Sequence, residues 1–322
     1  MLKAADRIHT TAEALAELDV CCSNAAVAAE QGYTCPEIDR SDVIKIKNCR
    51  HPVVERFLEG GYFVPNDCDL DCGANRIMLI TGPNMAGKST YMRQIALCVI
   101  LAQAGCFVPA TEARIGIVDR VFTRVGASDD LASGNSTFML EMTEVADILK
   151  NATRKSLVIY DEIGRGTSTY DGMSIARAVV EYTSSKIGAK TLFATHYHEL
   201  TELEGETDGV VNYNIAAKKR GNDVVFLRKI VRGSADDSYG IEVAHLAGVP
   251  DAVVKRAKQI LQTLSEQGRI PPAASRREPE SDNISFEALG EQRVIERIKG
   301  LDINTLTPYE AISVLYELKK EL

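Results

Sequence analysis

Apolar residues along the chain follow first a helical pattern and then an alternation of strand and helix patterns. Across Met1–Glu30 they recur every three or four positions without Gly or Pro, which predicts one long helix. From about Asp42, short apolar runs alternate with helical stretches. Strands that alternate with helices indicate parallel pairing and a layered α/β domain. The predicted strands are Ile77–Ile80, Leu157–Tyr160 and Thr191–Ala194, and the predicted helices are Ser89–Ala104 and Met173–Ser185.

The pattern changes in the last third of the chain. Within Val210–Val231, the β-rich residues Val224–Leu227 follow a turn signal at Gly221-Asn222, which predicts a peripheral hairpin. Pro250 then marks the start of a predicted helix over Asp251–Glu266.

The C-terminal part combines a polar segment with two predicted helices. Gln267–Asn283 is rich in Pro, Ser and charge, which predicts a flexible linker. Helices are predicted over Phe286–Lys299 and Thr307–Leu322. The second has an apolar face that so small a segment cannot bury alone, and this favours a self-associating element.

Composition and charge narrow the class of protein. The 322 residues are 45% hydrophobic and 25% charged, as in soluble globular proteins, and no apolar run is long enough to span a bilayer. The net charge of −8 argues against bulk electrostatic attraction to nucleic acid, although the surface could still carry a local basic stripe. Eight cysteines lie in the first third without a CxxC pair, which favours reduced thiols in a cytoplasmic protein over a zinc site.

The segment "GPNMAGKST" is the strongest chemical signal. It follows the predicted strand "RIMLI", opens a predicted helix and fits the phosphate-binding pattern G-x-x-x-x-G-K-[ST]. Glycines let backbone N–H groups point at phosphate oxygens, a lysine adds positive charge, and a hydroxyl can bind Mg²⁺. A glycine-rich turn that merely caps a helix is the disfavoured alternative. The predicted contacts are Gly82, Pro83, Asn84, Met85, Ala86, Gly87, Lys88, Ser89 and Thr90.

Two carboxylates and a histidine follow the other predicted strands. Asp161 and Glu162 end the run "LVIYDE", and His196 follows "TLFAT". The carboxyl ends of parallel strands meet at one edge of a sheet, where ligands bind. Asp161 could support Mg²⁺ while Glu162 polarises an attacking water as general base, and His196 could bond to the γ phosphate or that water. Solvated carboxylates and a structural histidine are the alternatives, and "HYH" offers a metal ligand pair without an evident third ligand.

These segments, with "GASDDLASGNSTFMLEM" and "DSYGIEVAHLAGVP", resemble the MutS family of DNA mismatch repair ATPases, within the ABC ATPase superfamily. The resemblance covers about residues 1–266 and resumes at "LDINTLTPYEAISVLYELKKEL". It implies an α/β P-loop NTPase fold of ABC type, a layered sheet with flanking helices. The implied parts are a remnant of a core or lever helix at 1–38, the ATPase domain at 39–266, a linker at 267–283 and a C-terminal association element at 284–322.

The resemblance also implies roles for particular residues. ATP and Mg²⁺ would be sandwiched between two subunits, with Ser136 approaching the partner's γ phosphate, Phe63 stacking on adenine and Asn84 contacting phosphate. The residues alone would make Ser136 an N-cap and Phe63 a core residue. Ala86 stands where many relatives have Gly, and we expect no loss of binding if its φ is not positive.

The implied partners follow from the same family. They are a second copy of the chain, or a higher oligomer formed through the tail, a MutL-type protein, and the replication clamp through Asn283–Leu289. Mismatched double-stranded DNA would bind through domains that this sequence does not contain. "FLE" at Phe57–Glu59 fits the family's Phe-x-Glu motif only by coincidence, because it lies within the ATPase-type region.

Two functional hypotheses remain open. The first is Mg²⁺-dependent ATP hydrolysis, with catalytic Lys88, Glu162 and His196, and with Ser89 and Asp161 at the metal. The second is a nucleotide-dependent dimerisation module with little turnover. A recombination-controlling relative is disfavoured because no terminal nuclease domain is evident, and a transporter ATPase because "LSGGQ" is absent.

Overall fold

The structure is a computed structural model that describes residues 4–58, 62–83, 86–126, 137–220, 223–234 and 239–266. Helices and strands alternate through most of these residues. The helices are α1 (Ala5–Gln31), α2 (Val54–Phe57), α3 (Lys88–Gln103), α4 (Thr137–Asn151), α5 (Thr169–Tyr182), α6 (Leu203–Glu206), α7 (Gly240–Leu246) and α8 (Asp251–Glu266). The strands are β1 (Glu37–Asp39), β2 (Ile44–Cys49), β3 (Asn66–Leu70), β4 (Ile77–Thr81), β5 (Glu112–Gly116), β6 (Val121–Arg124), β7 (Leu157–Asp161), β8 (Lys190–Ala194), β9 (Val210–Arg220) and β10 (Asp223–Arg232).

The central sheet has six strands in the order β10-β9-β4-β8-β7-β6. All neighbours pair in parallel except β9 and β10, which form the predicted antiparallel hairpin. Strands β4 and β8 are buried at every position, which explains the apolar runs Ile77–Ile80 and Leu192–Ala194. The predicted α/β class and the three predicted strands are confirmed. Only β10 of the hairpin lies at the edge of the sheet, because β9 pairs with the central strand β4.

Alternate residues of the central strands face two separate cores. Met78 and Ile159 pack with α3 residues such as Ile95 on one face. Leu79 and Tyr160 pack with residues of α4 and α5 on the other. Successive strand side chains point to opposite faces, so a fully buried strand needs a helix layer on each side.

A second sheet of four strands, in the order β1-β5-β2-β3, was not predicted. Its inward residues, including Ile44, Leu70 and Ile115, join the α3 core. In β2 these buried positions alternate with exposed or half-buried lysines. The second sheet therefore covers the side of α3 that faces away from the central sheet.

The helices predicted over residues 1–30, 89–104, 173–185 and 251–266 are confirmed apart from their ends, whereas the short helices α2, α6 and α7 were not predicted. Helix α1 runs for 27 residues and ends at Gly32, whose left-handed φ is 59°. Only Ala28 of α1 is buried, so packing within the described residues contributes little to this helix. Helix α5 begins at Thr169, before the predicted Met173, because Ser168 accepts a hydrogen bond from the N–H of Asp171.

Several predicted features lie outside the described residues. They are the turn at Gly221-Asn222, the linker Gln267–Asn283 and the helices Phe286–Lys299 and Thr307–Leu322. All eight cysteines are described, and each is a free thiol. Within the part of the chain that the structure describes, no helix has the length and apolar character needed to cross a membrane.

A close backbone approach at Gly116 generates the first prediction. The N–H of Gly116 donates to the carbonyl of Val43 over 2.7 Å, and a Cβ on Gly116 would lie 1.9 Å from the Ser41 carbonyl oxygen. We expect Gly116→Ala to lower the free energy of unfolding by about 1–3 kcal/mol, because backbone must shift to admit the methyl group. Denaturant unfolding measures this, with Gly205→Ala as control since that position has open space. Equal midpoints for the two variants would contradict the close approach.

The pair of Asp39 and Arg114 generates a pH prediction. Hydrogen bonds from the Ser41 side chain, the Ser41 N–H and Arg114 lower the pKa of Asp39 from 3.8 to about 2. Because the folded pKa is the lower one, the ionised carboxylate stabilises the fold above pH ~4. This contribution should disappear as the pH falls from about 4 to about 2. We expect Asp39→Asn to be less stable than the parent at neutral pH, with the difference shrinking in acid unfolding measurements; a constant difference would contradict the pairing.

Candidate functional site

The candidate site lies at one edge of the central sheet, where three neighbouring strands end. Strand β8 pairs with β4 on one side and with β7 on the other. The segment 82–90 follows β4, the acid pair lies at the end of β7, and His196 follows β8 by two residues. Parallel pairing therefore brings the three predicted chemical segments to the same edge.

The loop after β4 needs glycine at two positions. Gly82 and Gly87 have φ values of 127° and 106°, which side-chain-bearing residues rarely adopt. Ala86 is buried, and its N–H donates to the Pro83 carbonyl over 3.1 Å. Ala86 is not among the described non-glycine residues with positive φ, so the condition for tolerating its methyl group is met.

Lys88 is the first residue of α3 and only 1% exposed. Its Nζ donates to the Gly82 carbonyl and lies 3.6 Å from Oε1 of Glu162. Desolvation lowers the pKa of Lys88, whereas the charges of Glu162 and Asp161 act to raise it. The ammonium group is thus held between the glycine loop and the acid pair.

Asp161 and Ser89 meet at the amino end of α3. The Ser89 hydroxyl hydrogen-bonds to the Asp161 carboxylate. Burial raises the pKa of Asp161, while the Ser89 hydrogen bond acts to lower it. A hydroxyl and a carboxylate are hard oxygen donors, the type that Mg²⁺ prefers, so this donor pair fits the predicted metal.

Glu162 leaves β7 in a left-handed conformation, with φ 57°. Its N–H donates to the Ala194 carbonyl over 3.0 Å, which ties it to the end of β8. Its carboxylate contacts Lys88 through one oxygen and accepts a 2.8 Å hydrogen bond from Arg165 through the other. A strained backbone held by specific contacts is frequent at functional sites.

His196 is exposed at the same edge, with its ring centroid 4.0 Å from that of Tyr197. Desolvation lowers the pKa of His196, and nearby Glu162 acts in the opposite direction. The charges of Arg165 and Lys88 also reach the ring and lower this pKa. His196 therefore shares its surroundings with both Glu162 and Lys88.

The remaining predicted residues are less closely connected to this cluster. Phe63 is half-buried in the loop before β3, and Thr90 is half-buried in the first turn of α3. Asn84, Met85 and Ser136 lie outside the described residues. Their predicted roles, like those of the clustered residues, stay predictions.

The structure also shows contacts that the sequence analysis missed. Arg165 pairs with Glu162, and its place inside the segment "DEIGRGTSTYDG" was the only available signal. Glu141 of α4 forms a buried ion pair with Arg124 over 3.2 Å. Nothing in the local pattern of "STFMLEM" distinguishes this glutamate from a solvated one.

Comparisons with known proteins agree with the geometry. The family model for MutS domain V matches residues 78–265, and the model for the DNA mismatch repair protein MutS C-terminal region matches residues 287–321. The DNA mismatch repair protein MutS of Acetivibrio thermocellus is 58% identical over 99% of this chain, which covers 38% of that relative.

Two further relatives carry the same description. The protein of Caldicellulosiruptor bescii is 57% identical over 98% of this chain and 38% of its own length. That of Symbiobacterium thermophilum is 57% identical over 97% of this chain and 36% of its own length. The chain therefore spans less than two-fifths of each relative that it matches here.

Proposed function

The chain belongs to the MutS family of DNA mismatch repair proteins, and from this premise we propose that residues 39–266 bind ATP with Mg²⁺ and hydrolyse it to ADP and phosphate. One observation carries the proposal: the Lys88 ammonium, the Ser89 hydroxyl and the two carboxylates at the end of β7 converge at one sheet edge. Each group has the chemistry that phosphoryl transfer to water requires.

The glycine loop and α3 would bind the phosphates. The N–H groups at the start of a helix and the Lys88 ammonium both attract phosphate oxygens. Ser89 and Asp161 would hold Mg²⁺, which supplies neutralising charge to the phosphates when bound. The contacts of Lys88 with Gly82 and Glu162 hold the ammonium between the glycine loop and the acid pair.

Glu162 is our proposed general base. Its carboxylate would accept a proton from the attacking water, and the bond from Arg165 fixes the orientation of that carboxylate. The lowered pKa of His196 favours the neutral imidazole, which can donate one hydrogen bond and accept another. Such a ring would suit contact with the γ phosphate or the attacking water.

The wider assignment follows the family. We propose a homodimer in which Ser136 approaches the partner's nucleotide and Phe63 stacks on adenine. In the longer protein, hydrolysis would drive the switch between mismatch-bound and sliding-clamp states. Mismatched DNA, a MutL-type protein and the replication clamp are the proposed partners, and the cytoplasm is the proposed location.

Substitution of the proposed base provides the first functional test. We expect Glu162→Gln to retain ATP binding while turnover falls by a factor of about a hundred or more, because the amide cannot accept the proton. Calorimetric titration with Mg·ATP and a phosphate-release assay measure the two effects. Lys88→Met is the matched comparison and should lose binding itself, and EDTA should abolish release by the parent. Full turnover by Glu162→Gln would remove Glu162 from its role.

The dimerisation module is the second candidate function, favoured by the apolar sequence pattern of residues 307–322, which lie outside the described residues, and by the family match over residues 287–321. We expect phosphate release by the parent chain to rise more steeply than linearly with protein concentration, because a shared site forms only in the dimer. Sedimentation with and without ATP should show the corresponding association. ATP-dependent dimers without phosphate release would favour the module over the ATPase.

A further inference from the structure

The backbone of Gly164, two residues after Glu162, is hydrogen-bonded through both its N–H and its carbonyl; we call this backbone the Gly164 peptide. Its N–H donates to Oε1 of Glu141 over 2.6 Å, and its carbonyl accepts a 3.0 Å hydrogen bond from the Tyr197 hydroxyl. Gly164 is buried, so water does not compete freely for these bonds. The segment that carries Glu162 is therefore bound to α4 and to the chain after β8.

The two groups that hold this peptide are fixed in turn. The second carboxylate oxygen of Glu141 pairs with Arg124 over 3.2 Å, and the Glu141 and Arg124 side chains are 7% and 5% exposed. A buried carboxylate needs such a cation and hydrogen-bond donors to offset its lost hydration. Tyr197 is 5% exposed and neighbours His196 in the chain. Neither Glu141 nor Tyr197 can move without disturbing packed surroundings.

Two glycines allow the close approach of this peptide to α5. A Cβ on Gly164 would lie 2.4 Å from the Gly172 carbonyl oxygen, and a Cβ on Gly172 would lie 2.3 Å from the Tyr197 hydroxyl. Gly164 also has a φ of 87°, which favours glycine. Neither glycine position can therefore accept a side chain without a shift of the backbone or of Tyr197.

This arrangement bears directly on Glu162. A non-glycine residue with positive φ persists only where the surrounding structure fixes it. The bond from the Glu162 N–H to Ala194 fixes the chain at Glu162 itself, and the bonds at Gly164 fix it two residues later. Glu162 and its partner Arg165 lie on either side of this fixed peptide.

We propose that Glu141 and Tyr197 are positioning residues that hold the Gly164 peptide and thereby aim the Glu162 carboxylate for hydrolysis. The inference rests on the proposed function, in which Glu162 is the general base. Helix α4 begins immediately after Ser136 in the chain. Through the hydrogen bond between Glu141 and the Gly164 N–H, this helix contacts the segment that carries Glu162. A change at the start of α4 would reach the base through Glu141.

Loss of the tyrosine hydroxyl is the sharpest test. In Tyr197→Phe the ring still fills its site, but the Gly164 carbonyl loses its donor. We expect kcat for ATP to fall about tenfold to a hundredfold, since small misplacements of a catalytic group have effects of this order, while the Kd for Mg·ATP changes less than about twofold. Tyr182→Phe, at the far end of α5 and 47% exposed, is the matched control and should leave both unchanged.

Substitutions at Glu141 test the other side of the peptide. Glu141→Ala removes the acceptor for the Gly164 N–H, whereas Glu141→Gln retains an oxygen there. We expect a larger loss of kcat in the alanine variant and partial rescue by glutamine. Glu144→Gln is the comparison variant, because Glu144 also pairs with Arg124, over 3.1 Å, but is 42% exposed.

Hydrogen exchange separates this inference from the proposed function. Amides in residues 163–166 should exchange at least about tenfold faster in Tyr197→Phe than in the parent, with protection in β4 and β8 unchanged. A parent chain that neither binds nor hydrolyses ATP would overturn the proposed function. In that case, the comparison of exchange rates between Tyr197→Phe and the parent would still test whether these hydrogen bonds hold the Gly164 peptide. An active parent with unchanged kcat and unchanged exchange in Tyr197→Phe and Glu141→Ala would overturn the positioning role.

Discussion

The buried ammonium of Lys88 constrains the arrangement of the whole sheet edge. An ammonium group that is 1% exposed requires acceptors nearby, and here they are the Gly82 carbonyl and the Glu162 carboxylate. One acceptor follows β4 and the other follows β7, so a single cation links the ends of two strands separated by β8. Gly82, Gly87 and Glu162, which all have positive φ, lie directly beside these contacts.

The sequence was sufficient to predict this convergence. Strands β4 and β7 are apolar except for their last residue, and β8 carries the apolar run Leu192–Ala194, because helices cover both faces. That pattern is visible without a structure. Parallel pairing then places the residues after each strand at one edge, which joins Lys88 to Glu162 across 74 positions of sequence (162 − 88). The apolar strand pattern and the rule for parallel strands were enough to predict that Lys88 and Glu162 lie close together.

Features that depend on tertiary distance were not predictable in the same way. Strand β1 has three residues and pairs in parallel with β5, whose position in the sequence is remote, and neither has a continuous apolar run. The bonds at Gly164 join it to Glu141 and Tyr197, which are 23 and 33 positions away. No spacing rule connects such residues, since the contacts arise from how α4 packs against the sheet. The contacts at Gly164 were therefore visible only in the structure, whereas the convergence of Lys88 and Glu162 was visible in the sequence.

Charge gives the remaining argument about the proposed ligand. A net charge of −8 opposes a polyanion at long range, yet charges further than about 8 Å are largely screened at physiological ionic strength. The local balance differs, because the charges of Lys88, Arg93 and Arg165 act on Asp161 or His196 at this edge. Asp161 has a raised pKa through burial, so its ionised form gains from any cation placed beside it. The proposed nucleotide with its own metal ion would therefore match this edge better than a free polyanion, since the ion would offset the charge of the carboxylates while the phosphates would meet the lysine.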